Sequence, residues 1–488
     1  MSDRTSLADE SGSNYSTSTE RTPLIREQDD NPSWSTEFYW LLNNSLPIIG
    51  TYLLEHSLQI ASIFTLGHLG PTELAAATLA TMFANVSAMS VAFGMTTALD
   101  TLCSQAWTGA KNKKLVGIHL QRALLILGLT YIPIAFVWWN AERILLVMKQ
   151  DPALAMNAGL FLRILVFGAP AFIAFEAVKK FLQAQGIMKA STYVLLIASP
   201  LNFGMNYMMV YVKPFQLGFA GAPLATSISY WLMLLLLIAY IKFVDGKEAW
   251  GGWTRECLTD LWTFIRLAVP GAVMVCTEWW AFEISVLAAS YLSTVDLAAQ
   301  SIMFTLSTTT YTIPFGISVA ASNRVGNSLG EGKAKKAKYA SMMALCFAVA
   351  FGSLNSIFCL TTRSFLGYLF TSDMDVVIRV ANVLPLCAIF QINDGLNAVC
   401  GGIVRGLGRQ KIAAYINVIA YYVIALPFGL LLTFKARWEL TGLWIGLTTA
   451  LFLASAGELL FLLMVDWYYE AKRTLESIRR EEVKNLQT

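Results

Sequence analysis

Charge is the first thing this chain lacks. Only 14% of its 488 residues are Asp, Glu, Lys or Arg, against about 25% in a soluble domain. Hydrophobic residues make up 56%, and mean hydropathy is +0.55. A chain so short of polar groups cannot cover itself in water, which excludes a soluble multidomain protein. The net charge of +3 is small and spread over turns, so no nucleic-acid partner is expected. The seven cysteines (Cys103, Cys257, Cys276, Cys346, Cys359, Cys387, Cys400) lack CxxC spacing and read as small apolar packing residues, not disulfides or metal ligands. His56, His68 and His119 form no HExxH, so no metal site is assigned. The Gly-rich turn at 326–332 lacks the Lys-Ser/Thr ending and preceding strand of a P-loop. No nucleophile, metal cluster or His–Asp pair is legible at a membrane face, which disfavours an enzyme, and no catalytic residue is assigned. The N-terminal stretch is rich in Ser, Thr, Asp, Glu and Arg without an apolar core, so it reads as a disordered tail and not as a cleavable signal.

What is abundant is apolar sequence in runs near the ~20 residues that a bilayer demands. Reading between charged and Gly/Pro breaks places spans near 40–66, 74–104, 123–140, 159–178, 191–211, 222–241, 267–292, 298–321, 340–360, 381–403, 412–433 and 443–465. The expected fold is all-α and integral to the membrane, with twelve transmembrane helices. If the N-terminal tail is cytoplasmic, the tail, the even-numbered turns and the C-terminal segment hold 27 of the 35 Lys and Arg. The opposite face holds seven, and Arg163 falls inside a span. That asymmetry sets both termini in the cytoplasm.

An internal repeat organises the spans. Pro47 and Glu55 recur as Pro270 and Glu278, 223 residues on, and Glu73-Leu74-Ala75-Ala76 matches Asp296-Leu297-Ala298-Ala299 at the same shift. Gly186-x-x-Lys189 matches Gly408-x-x-Lys411 at a shift of 222, so a one-residue gap reconciles the copies. An even number of spans per copy gives two parallel six-helix lobes, and transporters place their site in the cleft between such lobes. The expected organisation is a tail at 1–37, an N-terminal lobe at 38–241, a linker at 242–266, a C-terminal lobe at 267–465 and a C-terminal tail at 466–488.

An ionised carboxylate at a span centre costs roughly 2.5–3.5 kcal/mol on insertion scales, so each internal acid needs a reason. Asp100 and Glu458 sit near span ends and read as solvated or capping acids. Glu176 has Lys179 three residues on, a spacing that permits an intrahelical pair. Glu278 and Glu283 lie in one apolar span, about 140° apart on an ideal helix. Asp394 sits mid-span in a polar run with Gln391, Asn393 and Asn397. These three acids point to a hydrated cavity in the C-terminal lobe, and a buried carboxyl that favours its neutral form can carry a proton between the two sides. Glu55 and Gln59 are the corresponding N-lobe candidates. Trp279, Trp280, Phe282, Phe304, Tyr311 and Tyr421 are candidates for an aromatic pocket for flat or cationic compounds, with plain packing the alternative.

In the tail, Glu20 stands four residues before Leu24-Ile25, a spacing that resembles an acidic dileucine sorting signal read by an adaptor. If real, it favours a vacuolar membrane over the plasma membrane.

Several separated segments resemble the multidrug and toxic compound extrusion (MATE) family, in the branch shared by fungi, plants and animals. They are Leu66-Gly67-His68-Leu69-Gly70, residues 98–106 (Ala98 to Ala106), residues 273–283 around Glu278-Trp279-Trp280, residues 320–327, and Asp394-Gly395 ahead of residues 404–411. The resemblance covers about residues 38–465. It implies two six-helix lobes and export of organic, often cationic, compounds in exchange for protons or sodium, with the family's C-lobe acids falling on Glu278, Glu283 and Asp394. Two positions depart from the pattern. Thr305 stands where animal members often carry a further acid, and Glu55 stands where plant relatives often carry an amide. The expectation is therefore a proton-coupled antiporter for small organic compounds or metabolites, monomeric, without cofactor. A sodium-coupled exporter and a lipid-linked flippase of the same broad superfamily are the alternatives, and few basic residues inside the spans count against the flippase.

Overall fold

The computed structural model describes residues 33–487, and all regular structure among them is helical. The Glu20, Leu24 and Ile25 signal lies outside the described residues. Twelve long helices follow one another: α1 (Trp34–Gly67), α2 (Pro71–Gly109), α3 (Lys114–Trp139), α4 (Pro152–Ala184), α5 (Ala190–Tyr211), α6 (Gly221–Phe243), α7 (Leu261–Ser290), α8 (Thr294–Gly330), α9 (Ala334–Thr362), α10 (Met374–Leu407), α11 (Gln410–Lys435) and α12 (Glu439–Met464). All but α1 and α8 are long and apolar enough to cross a membrane by composition. Those two, of 34 and 37 residues, are equally long but richer in polar side chains, because much of their surface faces the other lobe rather than lipid.

Most helices overrun the apolar segments legible in the sequence. α2 continues to Gly109, α8 to Gly330 and α10 to Leu407, where the polar ends meet protein or headgroup instead of hydrocarbon. α1 starts at Trp34, ahead of the expected first span. Residues expected as a C-terminal tail form α13 (Trp467–Gln487), which lies across the bundle end. Its Glu470 pairs with Arg409 at 2.5 Å on the α10–α11 turn, and its Glu481 pairs with the fully buried Arg122 on α3.

The repeat seen in the sequence is a repeat of packing. In the first six helices α1 packs on α5, α4 on α6, and α2 and α3 on α4; in the second six α7 packs on α11, α10 on α12, and α8 and α9 on α10. The lobes meet through α2 against α7 and α1 against α8, which exchange under the same repeat. At this seam a Cβ on Gly94 would lie 2.5 Å from Ala272 Cα, and one on Gly316 would lie 2.5 Å from Ile49 Cγ1. Gly94 and Gly316 are repeat mates, as are Ile49 and Ala272, so the same close approach is made twice. Small residues let helix backbones meet where lipid supplies no hydrophobic drive.

Below the seam, the Lys- and Arg-rich end is sealed. Thr101 donates to Arg405 O at 2.5 Å, Gln105 to Gly406 O at 2.9 Å and Thr108 to Asn327 O at 2.7 Å. Arg324 on α8 holds Glu37 on α1 at 2.5 Å and stacks 4.5 Å over the Trp40 ring. Gly94→Leu should displace α7 by overpacking, at a cost of about 1–3 kcal/mol. The expected result is a lower thermal midpoint for the purified protein and a loosened seal, read as faster thiol labelling of Cys276 beside the seam.

Candidate functional site

Above the seam the lobes part, and the gap is a cavity that runs from Arg405 and Phe315 toward Ile63 and Ala77. Its floor is aromatic and drawn from both lobes. Tyr52 on α1 meets Phe315 on α8 edge-on at 4.9 Å; Phe93 on α2 stacks on Trp279 of α7 at 6.0 Å; Tyr311 lies 5.5 Å from Phe315. The wall includes Asn85 and Met89 from a π-helical turn that interrupts α2, the kind of local irregularity often found at functional positions.

Two carboxylates face the cavity from opposite lobes, Glu55 on α1 and Glu278 on α7, and they are the repeat mates recognised in the sequence. Their surroundings differ. Glu55 accepts from Lys179 Nζ at 2.7 Å, and the same ammonium donates to Glu176 at 2.5 Å and sits 4.4 Å over the Tyr52 ring. Lys179 is fully buried, so the pair expected within α4 is in fact a triad that reaches into α1. The repeat mate of Lys179, at the 222-residue shift, is Gly401. No lysine therefore reaches Glu278, which has no ion-pair partner among the described residues. The copies diverge in charge at the site itself: the N-lobe acid shares one buried lysine with Glu176, and the C-lobe acid has no ion pair and only the more distant charge of Arg405 acting on it.

The remaining sequence candidates separate. Gln59, Asn397, Trp279 and Tyr311 join Glu55 and Glu278 at the cavity. Asp394 is buried beside it with Glu278 as its charged neighbour. Glu283 is half-buried farther along α7 and does not line the cavity. Asn393, one position from Asp394, turns away, and its amide donates to Ile389 O at 3.0 Å within its own helix. Tyr421 is fully buried behind the wall, in a π-helical stretch of α11. Trp280 donates to Val86 O at 3.0 Å across the lobe seam, and Phe282 packs on Phe304 and Phe390 in the C-lobe core. No metal-ligating cluster forms among the described residues.

Sequence reasoning missed a charged centre under the floor. Asp100, read as a capping acid, is 1% exposed and lies 2.9 Å from Lys180 Nζ in its own lobe. Arg405, read as a turn residue, reaches it from the other lobe, Nε to Oδ2 at 3.5 Å, and donates to Ser318 Oγ at 2.8 Å. Glu458, read as solvated, is fully buried. Lys179, Lys180 and Arg405 thus stand inside the helical body, which removes the scarcity of internal basic residues as an argument against alternatives. The signal available was the pairing of Lys179-Lys180 with acids in other spans, invisible until the helices are placed.

Removing one member of a buried charge group typically costs about 3–5 kcal/mol, because the partners are left uncompensated. Lys179→Met should therefore lower the thermal midpoint markedly. Adding Glu176→Gln to it should recover part of the loss, whereas full stability in the single variant would show that the triad carries no weight.

The MatE family model matches residues 47–208 and again residues 270–431, two matches spaced like Pro47 and Pro270. A protein of Schizosaccharomyces pombe described as an uncharacterized transporter is 42% identical over 443 residues, 91% of this chain and 82% of that one. Multidrug and toxin extrusion protein 2 of Mus musculus is 38% identical over 86% of this chain and 73% of its own length. The crystal structure of the eukaryotic MATE transporter AtDTX14 matches with a TM-score of 0.86 and 30% identity, covering 91% of this chain and 99% of that one.

Proposed function

The chain belongs to the MatE family, transporters and not enzymes, and from that premise we propose that it is a secondary active antiporter that exchanges protons for small organic, often cationic, compounds. The observation that carries this reading is Glu278, without an ion-pair partner among the described residues, in an aromatic-floored cavity between lobes whose Lys- and Arg-rich end is sealed. A carboxylate without a resident cation binds either a proton or a cationic substrate, and exclusive occupancy of one site by two ligands is what exchange requires. The aromatic faces of Trp279, Tyr311 and Tyr52 attract flat or cationic compounds without demanding one shape. Asp394, next to Glu278, holds a further proton on the same wall.

Exchange then follows from lobe geometry. With the Lys- and Arg-rich end sealed, the cavity faces the opposite side. The positive-inside rule makes that sealed end cytoplasmic, so a substrate bound from the cytoplasm is displaced outward, or into a lumen, when protons load Glu278 and Asp394. Glu55, held by the lysine it shares with Glu176, shapes the N-lobe wall.

In sealed vesicles of the purified chain, an imposed pH gradient should drive accumulation of a fluorescent organic cation, and Glu278→Gln should abolish it with abundance and thermal midpoint intact. Accumulation driven by sodium instead would replace the coupling ion, and full coupled transport in the variant would remove Glu278 from the mechanism. For location, we propose that Glu20, Leu24 and Ile25 direct the chain to an acidic vacuolar compartment through a sorting adaptor. Exchanging Leu24 and Ile25 for Ala should move a tagged chain to the cell surface, and an unchanged distribution would discard the signal.

A further inference from the structure

Glu458 on α12 has no role in the exchange described above, yet among the described residues it is a buried acid with both carboxyl oxygens unsatisfied. It is fully buried, and neither carboxyl oxygen has a hydrogen-bonding partner among the described residues. An ionised carboxylate in such a place would cost several kcal/mol, whereas a neutral carboxyl needs only a packed slot. The titratable groups that act on it come from three packed helices: Arg405 and Cys400 from α10, Glu278 from α7 and Tyr421 from α11. α8, also packed on α12, presents Ser318, which is occupied by Arg405.

Among the described residues Arg405 is the cation that acts on Glu458. Its Nη1 and Glu458 Oε2 lie 3.6 and 3.7 Å from the point where Gly401 would carry a Cβ, and the Met274 methyl, closer still to the same point, is the flexible group that must move aside for them to meet. In this conformation the guanidinium is committed elsewhere, to Ser318 and to Asp100 across the lobe seam. The contact with Asp100 is close enough for an ion pair but is not aligned as a hydrogen bond. Asp100 has a second cation, Lys180, within its own lobe. When the lobes separate at the sealed end, Asp100 keeps Lys180, and Arg405 is left without a carboxylate unless it turns to Glu458.

We propose that Glu458 is a second proton-carrying residue of the transport cycle, neutral while Asp100 engages Arg405 across the closed seam and ionised once opening of that end hands Arg405 to it. The proposal rests on the proton-exchange reading above and extends it to a site the cavity does not expose. The proton leaves Glu458 for water entering at the newly opened end and the guanidinium exchanges one carboxylate for another, so the C-lobe gives up one positive charge to that water while the N-lobe pair of Asp100 and Lys180 is unchanged. The direction is that of an exporter: the proton is held while the cavity faces outward and released on the Lys- and Arg-rich side. The reverse closure re-forms the seam and withdraws Arg405, and Glu458 then takes up a proton from the outward-facing cavity by way of Glu278, its acidic neighbour on α7.

The test uses the full-length chain in lipid nanodiscs and the infrared carbonyl band of protonated carboxyls. Wild type should show a component that is absent from Glu458→Gln, with the thermal midpoint unchanged because the amide replaces a neutral acid of the same shape. Asp100→Asn, which frees Arg405, should lose the same component. Identical spectra for wild type and Glu458→Gln would overturn the proposal, and a band that survives in Asp100→Asn would overturn the hand-over. In vesicles held at zero membrane potential with ethidium as probe, Glu458→Gln should lower the limiting accumulation about tenfold per unit of pH gradient, the equivalent of one proton fewer per cycle. An unchanged ratio would remove Glu458 from the cycle. Wild-type vesicles that accumulate no ethidium under a pH gradient would count against the antiport reading of the preceding section, while the infrared comparison would still decide the state of Glu458.

Discussion

The arrangement of this molecule hangs on backbone meeting backbone where the lobes touch. Gly94 against Ala272 and Gly316 against Ile49 leave no room for a β-carbon on either glycine, and the two contacts are copies of each other. A pair of identical close contacts on either side of an approximate axis makes a fulcrum: it resists sliding but permits rocking. It also fixes which end is shut, because with the seam in place the segments beyond it, from Thr101 to Thr108, reach the α8 and α10 backbones with three hydrogen bonds. The cavity above, its aromatic floor and the reach of Arg405 to Asp100 all presuppose that the backbones stay this close.

Duplication supplied the frame, and departure from it supplied the chemistry. Glu55 and Glu278 occupy the same place in each copy, but Lys179 pairs with the first, and Gly401 stands at the corresponding place beside the second. The substitution does two things at once. It leaves Glu278 without an ion pair at the cavity, and it leaves between Arg405 and Glu458 a space that the flexible Met274 methyl takes. Symmetric lobes with symmetric charges would present the same carboxylate on both walls; the asymmetry leaves a carboxylate without an ion pair on one.

Much of this was legible in the sequence, for reasons that also mark where legibility stops. The lobes were visible because Pro47/Pro270 and Glu55/Glu278 are chemically conspicuous, and the spans because apolar runs of bilayer length are. The convergence of Glu278, Trp279, Tyr311 and Asn397 followed from placing them in adjacent spans. Asn393 and Tyr421 were placed wrongly in azimuth, not in position: a step of one residue turns a helix by about 100°, and the π-helical stretch around Tyr421 shifts the phase again. The deeper failure concerned Asp100, Lys179, Lys180 and Arg405. Hydropathy ends a helix where charge begins, so charges near an apparent end are assigned to water. Here the helices run on past the apolar segment, and the charges meet one another inside the protein.

The helix α13 ties the two lobes together at their closed end, with its first turns on the C-lobe through Glu470 and Arg409 and its last on the N-lobe through Glu481 and Arg122. A helix of 21 residues is stiff along its length, so it acts as a strut: lobes that rock apart cannot stretch it and must slip one anchorage. α13 follows α12 after two residues and buries Trp467 and Ala471 in the C-lobe core, so the strut stays with the C-lobe; the anchorage that gives is the Glu481–Arg122 pair, and the end of the chain becomes a pointer whose distance from α3 reports the state of the whole transporter.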